Sequence, residues 1–247
     1  MGRDMAIRGI MFDKDGTLLD FNRLWIDITN IVVANICDRY LSSESIYSVD
    51  MLTQRIKTEL GINNEEIRYD SPLAYMTYKE MAGVVYDNIS ELITDTKEQF
   101  EQIFEQEYNR AFSTMEFDCI PTCNIIHLFD ILKDRNIRIG LATADNKNNT
   151  EKCLKKMHIY EYFDYIGCDD STVRPKPCAD MFDIFCEKYN LKSDEVIICG
   201  DTVNDMIFAG NCKAHSAGVL CGLTEYEDMC GKAEYIIDNP EKLIDII

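Results

Sequence analysis

Ile10-Met11-Phe12-Asp13-Lys14-Asp15-Gly16-Thr17-Leu18-Leu19-Asp20 decides how this chain is read. Residues 7–12 are mostly apolar and fit a buried strand. They run straight into two carboxylates one residue apart, followed by a glycine and a threonine. Charges at the mouth of a core strand are costly unless a metal or an ionic partner offsets them. In open parallel sheets, ligands bind beyond the carboxyl ends of the strands, so a reactive site is expected here. Side chains alternate along extended chain, which lets Asp13 and Asp15 face one pocket while Lys14 points elsewhere. Gly16 permits a sharp turn. Two acids so placed can divide the work: one attacks or binds a cation, and the other carries a proton. The plain alternative is a D-G turn closing a hairpin.

Three later segments repeat the theme of an apolar run ending in polar residues. Residues 137–145 lead to Thr143, Val173-Arg174-Pro175-Lys176-Pro177 supplies Lys176, and residues 196–205 lead to Asp201 and Asp205. Taken singly, Thr143 reads equally as an N-cap, Lys176 as a solvated loop lysine, and Asp201 and Asp205 as a turn and an N-cap. Taken in order with the first segment, they resemble the four motifs of the haloacid dehalogenase superfamily. Those motifs are D-x-D-G-T, a Thr or Ser after a strand, a lysine often followed by proline, and an acidic pair after another strand. The match is to the phosphoglycolate phosphatase-like and β-phosphoglucomutase-like branch. Ala179 replaces the second proline of the common K-P-x-P form, and Lys14 replaces the apolar residue usual between the two acids.

The resemblance implies an α/β fold: a Rossmann-like, three-layer parallel-sheet core with an inserted α-helical cap domain. It divides the chain into a core of residues 1–19 and 117–247 and a cap of residues 20–116. It implies that Asp13 is a nucleophile forming an aspartyl-phosphate, and that Asp15 protonates the leaving alcohol and then activates water. Mg²⁺ would lie between the carboxylates of Asp13 and Asp201 and the backbone carbonyl of Asp15, with Asp205 in support. Thr143 and the Ala144 amide would hydrogen-bond phosphoryl oxygens, and Lys176 would offset their charge. The implied activity is a Mg²⁺-dependent phosphatase acting on a small phosphorylated metabolite. A sugar phosphomutase of the β-phosphoglucomutase type shares all four motifs, and a catalytically silent phosphate-binding regulator is a third reading. Dehalogenases of the superfamily generally lack the second acid, so Asp15 argues against that chemistry.

Bulk properties narrow the field. The 247 residues suffice for a core plus an inserted unit. A formal net charge of −19 argues against nucleic acid or an anionic membrane surface as partner. Eleven cysteines contain no C-x-x-C pair, and their odd count fits a reducing, cytoplasmic setting. Met1-Gly2-Arg3-Asp4 carries no apolar signal-type stretch. His127, His158 and His215 match no catalytic pattern and read as structural.

From residue 125 onward, helical and strand patterns alternate, as in a parallel sheet covered on both faces. Residues 20–116 break that rhythm. Trp25, Ile28, Ile31, Val32 and Ile36 mark one helix, and Met51, Leu52, Ile56 and Leu60 another, ended by Gly61. Residues 63–67 are expected to begin a third helix, residues 75–89 a fourth, and Phe100, Ile103, Phe104 and Tyr108 line the face of a last one. Residues 240–247 read as a closing helix with proline in its first turn.

Overall fold

The computed structural model describes residues 7–41, 47–64, 66–170 and 172–247. The reading of residues 1–4 lies outside them. Contacts divide the chain into two compact units, Met1–Phe21 with Asp118–Ile247, and Asn22–Phe117.

The first unit opens with β1 (Gly9–Phe12), whose four residues are all buried. The chain then builds the second unit: α1 (Asn22–Tyr40), α2 (Val49–Leu60), β2 (Ile62–Asn63), β3 (Glu66–Ile67), α3 (Pro72–Tyr75), α4 (Tyr78–Ile89) and α5 (Lys97–Thr114). It returns with α6 (Ile125–Asp134), β4 (Arg138–Asn146), α7 (Lys147–Lys156) and β5 (Tyr165–Asp169). It ends with α8 (Asp180–Tyr189), β6 (Val196–Gly200), α9 (Val203–Cys212), β7 (His215–Val219), α10 (Tyr226–Met229) and β8 (Tyr235–Ile237).

Six strands form one sheet in the order β5-β4-β1-β6-β7-β8, and every neighbouring pair is parallel. The α/β fold class expected from the sequence is the one observed. β1 sits between β4 and β6, with Phe12 in register with Leu141 on one side and Cys199 on the other. Strand order runs outward from β1 in both directions. The carboxyl end of β1 is therefore the switch point of the sheet, where neighbouring connections diverge and leave a crevice. Met11, Phe182, Phe185, Ile198 and Phe208 pack into one buried cluster on the sheet.

The second unit has a core of its own. Trp25, Tyr78, Phe104, Tyr108 and Phe112 are all buried, and the rings of Tyr78 and Tyr108 stack with centroids 4.8 Å apart. The Tyr108 hydroxyl lies 3.0 Å from Thr29 Oγ1, which answers the cost of burying a phenol.

Two expectations need correction. Residues 63–67 do not start a helix: β2 and β3 pair antiparallel, with Ile62 opposite Ile67 and Asn63 opposite Glu66. Asn64 has φ +48°, a left-handed conformation that asparagine tolerates in turns but that cannot propagate a right-handed helix. The helix expected over residues 75–89 is α4, Tyr78–Ile89, and it begins three residues later than expected, Tyr75 being the end of α3. Thr77 caps α4 through a reciprocal capping box with Glu80, so the chain restarts there. The closing segment is a 3₁₀ helix, Pro240–Asp245. Among the described residues, no helix is long and apolar enough to cross a membrane.

Candidate active site

β1 delivers Asp13 to the switch point. The Asp13 amide donates to Cys199 O at 2.8 Å, so β6 still guides the chain one residue past the strand. A tight turn follows. The amides of Leu18 and Leu19 donate to Lys14 O at 2.9 and 3.3 Å, and that of Gly16 to Leu19 O at 2.8 Å. Gly16 has φ +82°, and a Cβ there would collide with the Asp201 carboxylate, so both conformation and space require glycine. The returning chain is fastened to this turn: Ile120 O accepts from the Asp20 amide at 2.8 Å, and the Thr122 hydroxyl donates to Thr17 O at 2.5 Å.

β6 delivers Asp201, which is fully buried. Its carboxylate accepts from the Leu223 amide at 2.9 Å and from the Thr17 hydroxyl at 3.4 Å. Gly222 crosses so close to it that a side chain there would strike the carboxylate. Asp205 lies in the first turn of α9. One of its oxygens closes a capping box by accepting from the Thr202 amide at 3.1 Å and hydroxyl at 2.7 Å. Its other oxygen accepts from Lys176 Nζ at 2.7 Å. Lys176, in the loop before α8, also donates to Asp13 Oδ1 at 2.5 Å. Oxygens of Asp13, Asp201 and Asp205 all lie within 4.8 Å of one another.

A second cluster sits beside the first. Lys14 is completely buried, and its Nζ lies 2.8 Å from Asp145 Oδ2 and 2.9 Å from Asp15 Oδ2. The expectation that Lys14 points away from the acids is wrong. Strict alternation ends with β1 at Phe12, and Lys14 belongs to the bend, where its long side chain turns inward. Thr143 is buried in β4, and its hydroxyl accepts from the Asp145 amide at 3.1 Å. Asp145 Oδ1 accepts in turn from the Asn146 amide at 2.8 Å.

Exposure differs among the acids. The side chains of Asp13 and Asp15 keep 11% and 12% of their surface, whereas those of Asp145 and Asp205 keep 1% and 2%. Only groups with an open edge can meet an incoming substrate. Burial pushes the Asp13 carboxyl up to about 7, against the pull of Lys176 and with the repulsion of Asp205 and Asp15. Burial, then the charges of Asp13 and Asp205, raise Asp201 well above the usual carboxylate range. Burial opposes the charge on Lys176, but Asp13 and Asp205 outweigh it and raise its pKa. Three hard carboxylates crowded in this way suit an oxygen-seeking divalent cation, whose charge would relieve their repulsion.

A profile of haloacid dehalogenase-like hydrolases matches residues 10–219, a span that holds Asp13, Asp15, Thr143, Lys176, Asp201 and Asp205. The chain belongs to that family. As a haloacid dehalogenase-like hydrolase it is an enzyme. It is 21% identical over 246 residues to pyrophosphatase PpaX of Bacillus velezensis, covering 98% of this chain and 97% of that protein. It is 24% identical over 210 residues to phosphoglycolate phosphatase of Agrobacterium fabrum, covering 81% and 90%. Among solved structures, β-phosphoglucomutase from Clostridium difficile shares the fold with a TM-score of 0.65 at 18% identity, covering 96% of this chain and 93% of that one.

Sequence reasoning assigned no task to Asp145 and misdirected Lys14. A signal was present: a lysine enclosed between two acids at the end of a buried strand must find carboxylate partners if it is buried too.

The raised carboxyls dictate a pH response of the metal-free hydrolase. Asp201 holds its proton more tightly folded than unfolded, so its contribution to stability is largest at low pH and declines as pH rises above about 4. Asp201→Asn removes that decline and keeps an acceptor for Leu223. With chelator present, the variant should melt a few degrees above wild type at pH 8, since ~1 kcal/mol corresponds to about 2–4 °C at this size. The gap should close toward pH 4. A variant that melts below wild type at pH 8 would contradict this electrostatic picture.

Proposed function

We propose that this hydrolase is a Mg²⁺-dependent phosphatase that releases phosphate from a small phosphorylated metabolite through an aspartyl-phosphate on Asp13. One observation carries the reading. Asp13 keeps an open edge at the switch point while sharing Lys176 with Asp205 and standing within 4.8 Å of Asp201. The phosphatases among its full-length relatives add support.

Asp13 and Asp201, the main-chain carbonyl of Asp15 and, in support, Asp205 would hold the Mg²⁺. When bound, the ion supplies positive charge for the phosphoryl oxygens. Asp13 attacks phosphorus, and the ester P–O bond breaks as Asp15 passes its proton to the leaving oxygen. Asp15, now a carboxylate, takes a proton from water as that water attacks the phosphorus of the aspartyl-phosphate. Phosphate leaves and Asp13 is restored. Thr143 and the Ala144 amide steady the phosphoryl oxygens, and Lys176 offsets the charge that gathers on them. A phosphomutase would use the same first step, and the resemblance to a β-phosphoglucomutase structure keeps it as the second reading.

The reading extends to residues 20–116 as a cap that selects the substrate, in the way lids complete active sites. Every proposed catalytic residue lies in the first unit. The chain leaves that unit after Phe21 and re-enters it at Asp118, and close to both crossings Asp20 and Ile120 are bonded to each other beside the Asp13–Leu19 turn.

The test is phosphate release from a panel of phosphorylated metabolites, pyrophosphate and activated esters, with and without chelator. Hydrolysis should stop on chelation and return with Mg²⁺. Asp13→Asn should lose at least ~10³-fold in kcat, equal to about 4 kcal/mol of barrier. Asp13→Asn turnover near wild type would reject the assignment, and an isomeric sugar phosphate in place of free phosphate would favour the mutase. Exchanging residues 22–117 for the matching segment of a relative should transfer that relative's preference. A folded chimera that keeps the original preference would remove the cap's role.

A further inference from the structure

The phosphatase reading explains Lys176 but leaves the other buried lysine without a task. Lys14 has no exposed surface, and a lysine is buried only where ionic partners offset the loss of hydration. Its two carboxylate partners come from the ends of two different strands. Asp15 belongs to the turn after β1, and Asp145 to the end of β4, next to Thr143. Asp145 is itself anchored, because the Asn146 amide holds its second oxygen and its own amide bonds the Thr143 hydroxyl. Lys14 is therefore fixed from behind. Asp15 is its outward partner and keeps 12% of its side chain exposed.

We propose that Lys14, anchored by Asp145, is a positioning residue that holds the Asp15 carboxyl in the orientation from which it exchanges a proton with the leaving oxygen. The inference rests on the phosphatase reading, in which Asp15 is the acid–base group. A carboxyl on a turn samples several rotamers unless a partner selects one. Proton transfer needs the carboxyl within hydrogen-bond reach of the leaving oxygen, so a loosened Asp15 spends fewer encounters in a productive geometry. The same link ties the position of Asp15 to that of Thr143, which the reading places on the phosphoryl oxygens. Substrate that seats against the end of β4 then meets an acid already registered to that strand.

The experiment compares an alkyl phosphate, whose leaving alkoxide needs a proton, with p-nitrophenyl phosphate, whose leaving phenolate does not. Both are assayed with saturating Mg²⁺ in wild type, Asp15→Asn, Lys14→Met, and Lys14→Met combined with Asp145→Asn. The double variant removes both charges of the buried pair, an exchange that folds tolerate better than a stranded partner, and it carries the test where the single variant does not fold. Emission from Trp25, the only tryptophan, and a melting curve check that each variant is folded. Asp15→Asn should lower kcat/KM, which reports the steps through departure of the leaving group and not the shared water step, by about 10²-fold or more for the alkyl ester and spare the aryl ester by comparison. Folded Lys14 variants should shift the alkyl-to-aryl kcat/KM ratio in the same direction, by about tenfold. Equal losses on both esters, or no change in the ratio, in a folded Lys14 variant while Asp15→Asn shifts it would overturn the role of Lys14. An unshifted ratio in Asp15→Asn itself would remove the acid–base reading of Asp15, and the proposal with it.

Discussion

Two buried ammonium groups hold four of the five carboxylates gathered at the carboxyl edge of one parallel sheet, and the rest of the site depends on that arrangement. Lys176 joins Asp13 to Asp205, and Lys14 joins Asp15 to Asp145, while Asp201 stands beside Asp13 and, among the described residues, forms no ion pair with a lysine. Taking a charge out of water costs several kcal/mol even after relaxation. An ion pair at 2.8 Å returns on the order of 6 kcal/mol at an effective dielectric near 20. One contact barely offsets one buried ion, so each lysine needs both of its carboxylates. Two positive charges still cannot balance five negative ones. The imbalance is concentrated around Asp13 and Asp201, where the pKa values are raised, and that is where a divalent cation is proposed.

Sheet topology explains why these groups meet. β1 lies between β4 and β6, and the connections run outward from it to both sides. Acids placed one residue past β1 and β6, with Thr143 and Asp145 at the end of β4, converge at the switch point where the ends of three central strands meet. Backbone packing then fixes their distances. The Gly16 turn and Gly222 both close on Asp201, so its carboxylate is held by neighbours too near to admit a Cβ. Such packing orients the carboxylate before any ligand arrives, a condition for stabilising a charge as it develops.

Much of this was legible in the sequence, for physical reasons that differ between elements. The β1 segment announced itself because an apolar strand ending in charges has few explanations. The alternating pattern after residue 125 gave the parallel sheet, because strands buried on both faces must be nearly all apolar. The β2–β3 hairpin was missed because two-residue strands carry too little periodicity, and the left-handed Asn64 is visible only as a turn-tolerant residue. The break before α4 had a signature in Thr77 and Glu80, at capping-box spacing, which the continuous apolar pattern masked. Lys14 was misdirected because alternation was carried past the end of the strand. Its partner Asp145 is 131 residues away in the chain, a pairing that no local pattern encodes.

The central claim is that Asp13 carries the phosphoryl group during turnover. Acid quenching during the steady state, followed by mass spectrometry of peptides, tests it most directly. The account predicts a phosphoryl group on the peptide containing Asp13, labile to base and to hydroxylamine as an acyl phosphate is, and absent from Asp13→Asn. Active enzyme quenched where dephosphorylation limits turnover, yet never showing that group on Asp13, would contradict it.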